Sequence, residues 1–91
     1  MKNIVIQGLG FVGSAMATAI ASKSNNSNKF DVTGIDLPNE IGKQRIESIN
    51  KGNFPFKTND KKLVSELKKS VERGILKATS NTSAYEKADV V

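Results

Sequence analysis

Three glycines in the spacing GxGxxG, Gly8, Gly10 and Gly13, are the residues of this 91-residue sequence best suited to chemistry, because they offer backbone instead of side chains. The motif follows directly on a β-branched run, Ile4 to Ile6, and opens an amphipathic segment, the context in which such glycines hold a diphosphate. There the first glycine makes a tight turn, the second leaves room for a pyrophosphate against the backbone, and the third lets helix and strand pack closely. The amides of Phe11 to Ser14, at the positive end of the helix, are then the donors to the ligand. Asp36 is the second element. It stands at the end of the next strand, about 20 residues past the motif, where a carboxylate accepts the ribose hydroxyls and repels a 2′-phosphate. Together they specify a dinucleotide, and NAD in preference to NADP. Gly34 leaves two readings open: it admits the adenosine to the sheet, or it relieves packing.

The rest of the catalytic repertoire is sparse. With no cysteine and no histidine there is no disulfide framework, no thiolate or imidazole metal site, no cysteine nucleophile and no histidine base. No catalytic residue and no metal ligand is assigned. The excess of 14 Lys and Arg over 9 Asp and Glu, a net +5, suits an anionic ligand, nucleic acid or solubility alike, and alone decides nothing. Lys57, Lys61, Lys62, Lys68 and Lys69 lie opposite an apolar stripe without interleaved aromatics, so they read as a solvated face and no nucleic-acid partner is expected. Phe54 and Phe56, flanking Pro55, read as loop anchors. The first apolar run is broken at Gln7, far short of a signal-peptide core or a membrane span, so a cytoplasmic protein with no membrane partner is expected.

The elements that must position Gly8 to Gly13 and Asp36 follow from periodicity. Asn3–Gln7 reads as a buried parallel strand. Phe11–Ala21 reads as a helix with Val12, Ala15, Met16, Ala19 and Ile20 inward, Met16 filling the core. A polar loop leads to a second strand, Phe30–Ile35. Leu37–Gly42, with Pro38 and Gly42, reads as a connection, and Lys43–Asn50 as a short helix with Ile46 and Ile49 inward. Asp60 caps a further helix with Leu63, Val64, Leu67 and Val71 inward, ended at Gly74. Ile75–Thr79 is a third strand, a short helix capped by Ser80 or Asn81 runs to Lys87, and Asp89–Val91 begins a fourth strand that is cut off. This is the α/β class: a partial Rossmann-type three-layer unit with a parallel sheet of strand order 3-2-1-4, truncated in the fourth strand. Residues 1–91 are expected to be a single amino-terminal portion of such a domain.

The runs IVIQGLGFVG, VTGID, RIESINKGNFPF and LVSELKKSVERGILKATSNTSAYEKADVV, in that order, resemble the amino-terminal NAD-binding domain of the UDP-glucose/GDP-mannose dehydrogenase family over essentially the whole chain. That family's pattern is a GxGxVG turn, a GxD strand end, a basic residue and Asn near the next helix, a proline loop, an A-T-T-like strand and an ADV strand start. The resemblance implies a fragment of a nucleotide-sugar 6-dehydrogenase similar to UDP-glucose 6-dehydrogenase. Such enzymes oxidise the sugar C6 alcohol to a carboxylate by two hydride transfers to NAD, through a thiohemiacetal, in polysaccharide biosynthesis. By position it assigns Gly8, Leu9, Gly10, Phe11, Val12 and Gly13 to the pyrophosphate, Asp36 to the ribose and Arg45 to the neighbourhood of the adenosine. The family's cysteine and sugar-binding parts fall beyond residue 91, so the fragment is expected to be inactive, its parent a homodimer, and the nucleotide sugar a partner only of the parent. Two segments depart from the pattern. The connection from Asp36 to Asn50 is longer, and KTNDKK stands where an acidic, proline and glycine turn is usual. The alternative reading is a nucleotide-sensing regulatory Rossmann module of a channel or transporter, which needs no catalytic residues but leaves the INKGNFPF loop unexplained.

Overall fold

The computed structural model describes residues 1–91, the whole chain. Its elements are β1 (Lys2–Gln7), α1 (Phe11–Ser22), β2 (Phe30–Ile35), α2 (Glu40–Asn50), α3 (Lys61–Glu72), β3 (Leu76–Thr79) and a 3-10 turn over Thr82–Lys87. The strands are parallel in the order β1-β2-β3, with Ile4, Val32 and Leu76 in one row across the sheet. The fourth strand is a single parallel bridge from Val90 to Ile4. Val5 donates to the Val90 carbonyl at 2.8 Å, and the Asn3 carbonyl accepts from Asp89 at 2.7 Å, on the edge of β1 away from β2. The order is therefore 3-2-1-4, that of the first half of a doubly wound sheet.

Strand side chains alternate between faces. Ile4, Ile6, Val32, Leu76 and Ala78 share one face and meet Ala17 and Ala21 of α1, Ile49 of α2 and Leu67 of α3 in one apolar cluster. All three α-helices thus contribute to the same side of the sheet. Val5 and Ile35 point to the other side; they are buried but stand outside that cluster, and Lys77 pairs with Asp31 there. Of the three layers expected, two are complete, and after β3 the 3-10 turn and the Val90 bridge both lie along β1.

The register of α1 differs from the hydrophobic reading. Its buried face is Ser14, Ala17, Thr18 and Ala21, while Val12 and Met16 are 73% and 50% exposed, Ala19 is exposed and Ala15 and Ile20 are half-buried. Met16 is not core. The cause is closeness: a Cβ at Gly13 would stand 1.9 Å from the Gly8 carbonyl oxygen, so the helix lies tight on the chain leaving β1 and only small side chains fit between. The buried hydroxyls are satisfied locally, Thr18 donating to the Ser14 carbonyl at 2.9 Å and Ser14 to that of Leu9 at 3.0 Å.

The second helix starts three residues earlier than periodicity indicates, at Glu40. Asn39 is its cap, accepting from the Gly42 amide at 2.8 Å, and Gly42, read as a breaker, lies buried in the first turn. At the far end of α2 the Asn50 side chain donates to the Ala78 carbonyl and accepts from the Ala78 amide, both at 2.9 Å, which fixes the helix to β3. Asp60 caps α3 through the Leu63 amide at 3.0 Å, with Leu67 and Ser70 inward and Val64 exposed. The segment after Asn81 forms as a 3-10 turn instead of an α-helix.

Gly42 offers a test of this packing. Helix propensity alone favours alanine there by about 1 kcal/mol. A Cβ at Gly42, however, would lie 1.9 Å from the Leu37 carbonyl oxygen, a backbone atom. Gly42→Ala is expected to lower stability in urea unfolding by about 1–3 kcal/mol, as overpacking does; an unchanged or stabilised variant would show that the Leu37 carbonyl yields freely.

Candidate functional site

The glycine turn is built around Leu9. Gly8, at φ +88°, turns the chain sharply after β1 and donates to the Ile35 carbonyl at 2.8 Å. Leu9 is fully buried, and a Cβ at Gly34 would come 2.4 Å from its Cδ2, so Gly34 answers to packing against Leu9. The Leu9 amide donates to Asp36 Oδ2 at 3.1 Å. At Gly10, by contrast, a Cβ would meet nothing within 4 Å. Gly10 is the helix cap without a side-chain bond, and the first turn of α1 carries no acid. The amides of Phe11, Val12 and Gly13 precede the first helical hydrogen bond, which Ser14 makes to Gly10 at 2.9 Å. Ser14 is therefore not among the free donors, and the Leu9 amide is held by Asp36. Phe11 and Val12 stand exposed at the open side of the turn.

Asp36 joins the turn to the second crossover. Its Oδ1 accepts from the Leu37 amide at 2.7 Å, and its Oδ2 accepts from Leu9 and, at 3.4 Å, from Arg45 Nη1. Burial, the largest single influence, pushes the carboxyl up, but the Leu37 and Leu9 amides and Arg45 together outweigh it and hold Asp36 below its ordinary value of 3.8. Arg45 of α2 reaches the acid despite the longer connection. The guanidinium also lies over the Phe56 ring, 5.3 Å from its centroid. Phe54 and Phe56 anchor their loop as expected, but onto Phe11 of the glycine turn.

A cleft of about 480 Å³ opens at the carboxyl ends of the strands, lined by Gln7, Gly8, Asp36, Leu37, Pro38, Ser80, Thr82 and Tyr85 among others. Leu37, Pro38, Ser80, Thr82 and Tyr85 were not singled out by sequence motifs; their only signal is position, just after a strand at the edge where open parallel sheets take ligands. The open space at Gly10, the free amides beside it and an ionised carboxylate across the turn have the chemistry of an ADP site: donors for a diphosphate, an acceptor for ribose hydroxyls, and no basic side chain inside the turn.

Strand, glycine turn, helix and strand-end acid define a dinucleotide-binding domain of the Rossmann type. The chain belongs to the UDP-glucose/GDP-mannose dehydrogenase family, whose NAD-binding domain it matches over residues 2–91. Among solved structures it is similar to an NDP-N-acetyl-D-galactosaminuronic acid dehydrogenase from Methanosarcina mazei Go1, at 25% identity and a TM-score of 0.86, over 99% of this chain and 18% of that one. It also shares the fold of GDP-mannose dehydrogenase from Pseudomonas aeruginosa, at 23% identity and a TM-score of 0.76, over 100% of this chain and 19% of that one. The chain thus spans under a fifth of either structure. No curated protein matches the sequence. Both structural neighbours are nucleotide-sugar dehydrogenases and neither is a channel or transporter regulator, so the sensing-module alternative falls away. No helix is long and apolar enough to cross a membrane.

The depressed Asp36 carboxyl has a sign. A group ionised more readily in the folded state stabilises the fold above its unfolded value, here 3.8, and loses that contribution as pH falls below 3.8 through the folded value. Asp36→Asn is therefore expected to cost stability near neutral pH and to converge on the parent protein as urea unfolding is repeated from about pH 6 down to about pH 2.5. A gap that stays constant over that range would mean that the Asp36 charge is not held by its partners.

Proposed function

We propose that residues 1–91 form the ADP-binding amino-terminal portion of an NAD-dependent nucleotide-sugar 6-dehydrogenase, in a longer protein whose catalytic and sugar-binding parts lie outside this chain. The observation that carries the reading is the bond between the Leu9 amide and Asp36 Oδ2, which sets the strand-end acid directly across the glycine turn from the open start of α1. In this reading the amides of Phe11, Val12 and Gly13 hold the diphosphate in the space left by Gly10, with Gly8 shaping the turn. Asp36 takes the adenosine ribose, and Arg45 borders the adenosine. Leu9 acts from beneath, as the buried anchor of the turn. When bound, NAD supplies the hydride acceptor for oxidation of the sugar C6 alcohol to a carboxylate.

Asp36 also carries the choice of cofactor. Its ionised carboxylate faces the ribose position, so a 2′-phosphate there meets like charge. The proposed substrate is a nucleoside-diphosphate sugar, with UDP-glucose the first to assay, and the parent is proposed to act as a homodimer in the cytoplasm.

Titration calorimetry with NAD tests the reading. The full-length protein is expected to bind NAD and to discriminate against NADP, with weaker or no binding by residues 1–91 alone. Asp36→Ala removes hydrogen bonds to a charged group, about 1.5–3 kcal/mol, and is expected to weaken NAD binding by about 10- to 150-fold. NAD binding indifferent to Asp36→Ala would refute the assignment.

A further inference from the structure

The loop between α2 and α3 takes no part in the nucleotide site described so far, yet its rings stand beside it. The Arg45 guanidinium lies on the face of Phe56 at 5.3 Å. Phe56 packs on Phe11 at 5.8 Å and on Phe54 at 6.1 Å, and Phe11 meets Phe54 edge-on at 5.4 Å and 77°. Arg45 reaches Asp36 by one contact of 3.4 Å, longer than a strong charged hydrogen bond, with its side chain still 31% exposed. Ion pairs of that kind are weak and do not by themselves hold a long side chain. A cation over an aromatic face is attracted to it independently of the carboxylate, and the stack restricts the guanidinium to one plane.

These contacts close a circuit. Asp36 is bonded to the Leu9 amide, and Leu9 leads through Gly10 to Phe11. Phe11 packs on Phe56, which carries Arg45, and Arg45 returns to Asp36. The start of α1 and the strand-end acid are thus tied twice, once through the backbone and once through the rings. We propose that Phe56 is a positioning residue for the nucleotide: its ring face holds Arg45 beside Asp36, and its packing on Phe11 sets that pair relative to the first turn of α1. The inference rests on the reading of this cleft as an ADP site. Because the ring face does the holding, tyrosine can replace Phe56 and leucine cannot.

Two measurements test it, each on the unsubstituted protein, Phe56→Leu, Phe56→Tyr, Arg45→Met and the Phe56→Leu/Arg45→Met double variant, with far-UV circular dichroism confirming that each is folded. In ligand-free protein, the Asp36 carboxyl titrated by NMR is expected to move up in Phe56→Leu and Arg45→Met, no further in the double variant, and not at all in Phe56→Tyr. With ADP-ribose as ligand and the full-length protein, Phe56→Leu is expected to weaken binding by about 3- to 10-fold, an effect that disappears in the Arg45→Met background. An Asp36 titration unmoved by Phe56→Leu, or the same loss of affinity with and without Arg45, would overturn the proposal and leave the ADP-site reading standing. Failure of the unsubstituted protein to bind ADP-ribose would overturn that reading, and this proposal with it.

Discussion

Leu9 is held at every group it owns. Its side chain fills the space above Gly34, its amide is given to Asp36 and its carbonyl takes the Ser14 hydroxyl, with no part of the residue exposed. A sharp turn between a strand and a helix would otherwise be a place for backbone disorder, since Gly8 and Gly10 restrict little. With the residue between them fixed in the core, the two glycines serve different ends: one turns the chain, the other leaves open space at the helix start. The acid at the end of β2 is fixed by the same residue. The geometry of the candidate site is thus a consequence of a buried leucine, although leucine has no chemistry to offer a ligand.

Close approach of α1 to the chain leaving β1 is the second constraint, and its effects run the length of the helix. Once the Gly13 and Gly8 backbones touch, the inward face can carry only Ser14, Ala17, Thr18 and Ala21. The apolar surface lost by using small side chains is partly offset by dense packing, which leaves few voids. Every buried side-chain polar atom has a hydrogen-bond partner, so the hydroxyls in this seam bring no unpaired group into the core. Larger apolar side chains, Val12 and Met16, are turned outward because there is no room for them inside.

The parts of the fold that the sequence disclosed are those governed by local rules. Strand positions, the caps at Asp60 and Asn81, and the glycine turn depend on residues within a few positions of one another, and the acid is found at a fixed place, the end of the strand that follows. What escaped depends on volume and on contacts between distant segments. A hydrophobic stripe ranks residues by apolar size, whereas α1 chooses them for smallness. Gly42 beside Pro38 looks like the end of a connection, but it is the only residue that clears the Leu37 carbonyl in a capped first turn. Leu9 reads as one more turn residue until its side chain is placed under β2. The contact of Arg45 with Asp36 joins a helix side chain to the end of the preceding strand, and the ring cluster needs residues some forty positions apart to meet; neither leaves a periodic trace.

Asn50 has a consequence beyond fixing α2. The outer edge of β3 presents peptide groups with no strand beside them, the kind of edge that invites pairing with a foreign chain. The Asn50 amide offers Ala78 one donor and one acceptor, both at 2.9 Å, in the place where a neighbouring peptide unit would lie. A single side chain thereby impersonates the next strand and caps the sheet against edge-to-edge aggregation. Growth by strand addition is left to the opposite margin, where Val90 already sits against β1.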